Sequence, residues 1–259
     1  MTETDSTPAY RAHRHTDRCR KDPDRYTYTC PVEAQESPAG GEIELVDIRD
    51  MLVLHAALSR EFRLAPAAVS RVRPGDRKHA RYVDEHLRLI CDMLHEHHGG
   101  EDEILWPVLR TRLSAAEGRL LDNIEAQHAD INSSVERVNE ARRRWLDQPD
   151  HDHGRALTNE LETLYSLVTD HLDDEERNIL PLAAAYLSEP EWRAINEAGK
   201  TLAPRMLLLA AGLCCYGTDR ELVALVLQVL PAPLRPVVER MGRLMYARRA
   251  ARVHGTRRP

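Results

Sequence analysis

A His-x-x-x-Glu pair followed by a proline occurs twice in this chain, each time in the same local text. The first copy reads His97-His98-Gly99-Gly100-Glu101-Asp102-Glu103-Ile104-Leu105-Trp106-Pro107. The second reads His171-Leu172-Asp173-Asp174-Glu175-Glu176-Arg177-Asn178-Ile179-Leu180-Pro181. In both, the proline lies ten residues after the first His, and the copies begin 74 residues apart. Side chains four apart on a helix stand one turn apart on the same face. Imidazole and carboxylate together are a ligand set for iron, manganese or zinc. One such pair is common surface decoration; two in matching contexts predict a repeated helical hairpin built around a metal.

The surrounding sequence has the periodicity such a hairpin needs. Four helical stretches are predicted, at about 43–64, 77–113, 114–147 and 155–187. The first carries Ile48, Met51, Leu52, Leu58 and Phe62 on one stripe, with His55 among them. Pro66 is expected to end it, and Pro74-Gly75 to mark the loop. The second turns Ile90, Met93 or Leu94, His97, Glu101, Ile104 and Val108 inward, and Pro107 should bend it or weaken a hydrogen bond. The third opens on Ser114-Ala115-Ala116-Glu117, a capping box, and places His128 in the stripe Leu121, Ile124, Ile131, Val135, Val138. The fourth sets His171 and Glu175 among Leu161, Leu164, Val168, Ile179 and Leu182. Loops this short join antiparallel neighbours. The fold class is therefore all-α: an up-down-up-down four-helix bundle with a smaller C-terminal helical extension.

A length of 259 residues, 42% of them hydrophobic, suffices for one such core, and a single Phe with 12 Gly suits helices. Residues 1–41 read as a flexible N-terminal extension ending at Pro38-Ala39-Gly40-Gly41, residues 42–188 as the metal-binding bundle, and residues 189–259 as a helical extension with a basic tail. Within that extension, Ser188-Glu189-Pro190-Glu191 and Thr218-Asp219-Arg220-Glu221 fit the capping pattern. Helices are expected at about 203–215, 219–230 and 235–252. From Leu234 on there are eight Arg and one acid, so the tail carries +7 and the rest −13 of the net −6. A basic tail can meet an anionic or protein partner, although a solvated helix face is the simpler account. No nucleic-acid-reading motif is evident. The longest apolar run, Met206 to Cys215, spans ten residues, too few to cross a bilayer. Five Cys without a regular framework, and no apolar leader, indicate a cytoplasmic protein with reduced thiols. Cys19 and Cys30 near His13 and His15 fit no standard zinc spacing.

A lone His on an apolar stripe is usually a hydrogen-bonded core residue. Here four fall in four separate stripes, and two bring a carboxylate one turn later. A buried carboxylate is costly unless paired or metal-bound, so the pattern points to a metal inside the bundle. Over about residues 43–187 the chain resembles the hemerythrin-like, or HHE cation-binding, family. The likeness rests on His55, on His97 with Glu101, on His128, on His171 with Glu175, and on the acidic-then-apolar-Pro segments 101–107 and 175–181. It implies a non-haem di-iron centre. Glu101 and Glu175 would bridge two iron ions, and His55, His97, His128 and His171 would be terminal ligands; manganese accepts the same set.

One departure matters. Oxygen-carrying members place two His four apart on the third helix, and here the position four after His128 is Asn132. Four His and two carboxylates leave one nitrogen fewer and an open coordination position, which favours reaction over carriage. Glu125, three before His128, has the ferritin-like Glu-x-x-His spacing but is expected at the exposed edge of the stripe. His95 and His98 are read as surface residues, so that His98→Ala should retain metal, and His86 as a satisfied core His. Three function classes follow. The chain binds or senses O2 through a partner; it is an enzyme acting on peroxide, nitric oxide or, with O2, a small organic substrate; or it stores or senses iron, with occupancy ordering the bundle.

Overall fold

The computed structural model describes residues 20–22, 27–29, 45–198 and 204–259, with side chains at 45–195 and 206–259. The N-terminal extension expected over 1–41 and the Cys19 and Cys30 reading lie outside the described residues, apart from two three-residue strands. These are β1 (Arg20–Asp22) and β2 (Thr27–Thr29), antiparallel with Lys21 opposite Tyr28.

From residue 45 onward the described chain is helical. Four long helices are α1 (Arg49–Ser70), α2 (Arg77–Gly100), α4 (Ala115–Asp147) and α5 (His151–Asn178). Helix α1 packs on α5 and α2, and α4 packs on α5 and α2. Their starts follow from capping chemistry. Asp76 accepts from His79 N at the head of α2, and Asp150 from His153 N at the head of α5. Ser114 and Glu117 close the expected capping box on α4.

Prolines account for the differences from the expected elements. Helix α1 does not stop at Pro66 but runs four residues on to Ser70. An internal proline costs about 3 kcal/mol. Burial of Ala65, Ala68 and Val69 on the same stretch offsets it. After α2 the chain winds as a π segment over Glu101–Leu105, then as α3 (Trp106–Arg110). Trp106 N–H donates to Glu101 O, five residues back. The wider turn accommodates Pro107 and rotates everything beyond it. Leu105, Trp106 and Leu109 are buried, whereas the expected Ile104 and Val108 are only half-buried. Likewise α5 ends at Asn178, and α6 (Leu180–Tyr186) resumes with Pro181 in its first turn and Ala183 and Ala184 inward instead of Leu182.

The remainder forms α7 (Glu189–Ala198), α8 (Pro204–Cys215), α9 (Arg220–Val226) and α10 (Arg235–Val253). The cap of α9 is Asp219, which accepts from Glu221 N and Leu222 N, while Thr218 donates back to Cys214 O. Helices α8 and α10 cross with backbones nearly touching, because a Cβ on Gly212 would collide with Gly242 O. The crossing rests on the bundle through Arg60 of α1, whose guanidinium donates to Leu213 O (2.9 Å) and Tyr216 O (3.2 Å). No helix among the described residues is long and apolar enough to cross a membrane.

Two apolar cores lie along the bundle. One gathers Leu58, Phe62, Leu94, Ile131, Val168 and Leu172. The other gathers Met51, Leu105, Trp106, Ile124 and Ile179. Along each helix the switch between cores falls at the polar residues: His55 between Met51 and Leu58, His97 and Glu101 between Leu94 and Leu105, His128 between Ile124 and Ile131, Glu175 between Leu172 and Ile179. The polar layer is thus sealed from both ends.

Candidate metal centre

Seven ligand-type side chains meet in that layer, each at most 7% exposed: His55, His97, His98, Glu101, His128, His171 and Glu175. They form two groups, each with its ligand atoms within 4.8 Å of one another. His55, His97, Glu101 and Glu175 make one; His98, His128 and His171 make the other. All six residues expected from the sequence are brought together. The carboxylates reach across both groups. Glu101 Oε1 lies 3.4 Å from His97 Nδ1 and Oε2 3.5 Å from His128 Nε2. Glu175 Oε2 lies 3.5 Å from His55 Nε2 and 3.7 Å from His171 Nε2.

The seventh residue, His98, corrects the surface assignment. Its side chain is buried, stacked on His128 with centroids 4.0 Å apart and edge-on to His171 at 4.9 Å. Asp102, four residues after His98, accepts from His128 Nδ1 at 2.8 Å. His98 continues the buried α2 stripe Leu87, Cys91 and Leu94, beside the one that carries Ile90 and His97. The π segment that follows Gly100 carries Asp102 round toward α4 while Glu101 stays inward. The double glycine and the proline in mid-helix are the sequence signals that bear on this. Asn132 and Glu125 are both outside the centre: Asn132 is exposed, and Glu125 accepts from Arg110 at 2.8 Å.

Three imidazoles have an orienting partner on Nδ1. His55 donates to Glu176 Oε1 (3.0 Å), His128 to Asp102 Oδ1, and His171 to Gln127 Oε1 (3.1 Å), with Gln127 in turn donating to Asp174 (2.8 Å). A carboxylate or amide oxygen only accepts, so the proton sits on Nδ1 and the Nε2 lone pair is left facing the centre. His128 Nε2, His171 Nε2, both His98 nitrogens and all four oxygens of Glu101 and Glu175 have no hydrogen-bond partner. His55 Nε2 and His97 Nε2 stand 3.2 Å apart.

Buried polar atoms are almost always satisfied, and eight orphans in one layer call for a cation. The electrostatics agree. Burial first, then the neighbouring Glu175 charge, pushes the Glu101 carboxyl well above its usual range, and burial pushes Glu175 up to about 8. Burial holds His97, His98 and His171 well below the ordinary imidazole value, as neutral rings able to donate lone pairs. A divalent ion supplies the positive charge that two buried carboxylates lack. The residues present therefore fit a metal.

Comparison with curated proteins and with solved structures gave no match. The family model described as the hemerythrin HHE cation-binding domain matches residues 46–183, more than half of the 259, and takes in all seven of these side chains. The chain belongs to the hemerythrin HHE cation-binding family.

Proposed function

We propose that the centre holds two iron ions and that the protein binds or reacts with O2 or a small reactive oxygen or nitrogen species. In this reading His55 and His97 serve one ion, His98, His128 and His171 serve the other, and Glu101 and Glu175 join them. The observation that carries it is the reach of each carboxylate to both groups of imidazoles. An iron pair supplies redox chemistry and a place for a small oxidant. The chain's own residues hold the imidazoles in one tautomer through Glu176, Asp102 and Gln127, and seal the layer between two apolar cores. Seven side chains at 7% exposure or less favour a reactant of two or three non-hydrogen atoms over an organic substrate. With His98 as a fifth nitrogen, the missing ligand that favoured reaction over carriage is supplied, so the choice falls to experiment.

Protein reconstituted anaerobically with ferrous iron and then exposed to air should develop new near-ultraviolet and visible bands. Bands that fade on removing O2 indicate carriage; catalytic loss of added peroxide indicates an enzyme. Unchanged spectra and no peroxide loss would reject the proposal. Glu176→Ala should weaken iron binding by about 10–100-fold, the usual cost of losing an outer-shell partner, read by equilibrium dialysis.

A sensor acting through a partner is the second reading. It is favoured by Leu234, which caps α10, and by Val237, Met241 and Leu244 within it, 42–51% exposed at spacings of three and four along one face. Val237→Asp with Met241→Asp should leave the air-induced spectrum unchanged if this exposed face serves a partner only.

A further inference from the structure

A separate group of buried ligand-type side chains joins the C-terminal helix to the bundle. Glu61 of α1, His86 of α2 and His254 at the end of α10 are 1%, 1% and, for the His254 side chain, 6% exposed. Glu61 Oε2 lies 3.0 Å from His86 Nε2 and 3.5 Å from His254 Nε2, yet none of the three atoms has a partner in hydrogen-bond geometry. The other carboxylate oxygen is fully used. Tyr246 Oη donates to Glu61 Oε1 at 2.7 Å and Arg60 Nε at 2.9 Å. The carboxylate is thus fixed, with Oε2 turned toward the two imidazoles. Their rings meet at 88° with centroids 5.3 Å apart, so they converge on that oxygen instead of stacking on each other.

We propose that Glu61, His86 and His254 bind one divalent transition-metal ion of the zinc or ferrous class, distinct from the centre in the bundle core, and that this ion pins α10 to α1 and α2. Two imidazoles and one carboxylate are a recurrent set for such ions and leave a position for a further ligand. Burial opposes ionisation of Glu61, but His254, His86 and Arg60 together hold its carboxyl well below the usual range, so the anion is in place. Burial also keeps His86 neutral.

One neighbour competes with the ion. Arg249 Nε donates to His86 Nδ1 at 3.2 Å, which puts the His86 proton on Nε2, the atom facing Glu61. Metal entry at Nε2 requires the other neutral tautomer, with that proton moved to Nδ1, and so requires Arg249 to release Nδ1. The half-buried Arg249 has room to do so, because it lines a surface cavity of about 380 Å³ together with Tyr82, Met245, Arg248 and Arg252. Arg249 therefore separates a metal site from a plain hydrogen-bonded clasp. In a clasp it is a supporting member; in a metal site it is a rival.

The test is equilibrium dialysis of the full chain against zinc alone, with bound metal counted by mass spectrometry. The wild-type protein should bind one equivalent more than His254→Ala or Glu61→Gln. Arg249→Ala should bind that equivalent about tenfold more tightly, since a charged hydrogen-bond donor no longer competes. His254 lies just past the last residue of α10, and Glu61→Gln keeps the side-chain shape, so one variant checks the other. Equal stoichiometry in wild type and both variants would overturn the proposal, as would weaker binding by Arg249→Ala. Neither result touches the core centre, whose own variants lie at Glu175 and His98.

Discussion

Glu175→Gln is expected to strip both ions from the core and to abolish the gain in thermal stability that metal confers. Glu175 is fully buried and its Oε2 faces an imidazole from each group, at 3.5 and 3.7 Å. A neutral amide of the same shape fills the space but offers neither ion a negative ligand. A ligand bound only by the folded state at about 1,000 times its dissociation constant stabilises by roughly 4 kcal/mol, and that increment should vanish. The metal-free variant should be no less stable than metal-free wild type, because the substitution also removes one of two buried carboxyls, whose charge burial opposes and, for Glu101, the Glu175 charge opposes further. Calorimetry with and without ferrous iron reads both arms. A Glu175→Gln protein that keeps two ions and the full metal-dependent rise in Tm would contradict the bridging role.

His98→Ala has the next largest effect, and its direction separates the structural account from the sequence reading. A surface His would leave metal content unchanged. A buried His that is one of three imidazoles in its group should, on removal, cost that position its ion while the group of His55, His97, Glu101 and Glu175 keeps its own. The loss should exceed the roughly 10–100-fold that outer-shell substitutions produce. Iron per chain, measured after dialysis, is expected to fall from two to one. Retention of two would return His98 to a packing role.

The contrast at His98 shows where the sequence was readable. The stripes in α1, α4 and α5 obey a period of 3.6 without interruption up to the polar layer. His55, His128, His171 and Glu175 could therefore be placed from the spacing of Met51, Ile124, Val168 and their neighbours. In α2 the buried face is wider, taking in Leu87, Cys91 and Leu94 as well as Ile90 and His97, so His98 also turns inward, and past Gly100 the period itself fails. The hydrogen bond from Trp106 N–H to Glu101 O reaches back five residues, and no side-chain pattern announces it. Extrapolating the α-helical stripe put Ile104 and Val108 inward, when the buried positions are Leu105, Trp106 and Leu109. The same rule held Pro66 to be a helix end, whereas burial around Ala65 and Val69 carries α1 past it. The Glu61 group was hidden for another reason. Its members are 25 and 168 residues apart in sequence, on elements whose mutual packing no local pattern states.

Anomalous diffraction at the iron absorption edge, from crystals of anaerobically reconstituted protein, decides whether the core holds two ions. Two peaks about 3.5–4 Å apart are expected, the usual separation in two-metal sites, one beside His55 and His97 and the other beside His98, His128 and His171. A single peak, or two peaks with His98 turned away from both, would contradict the two-metal centre described above.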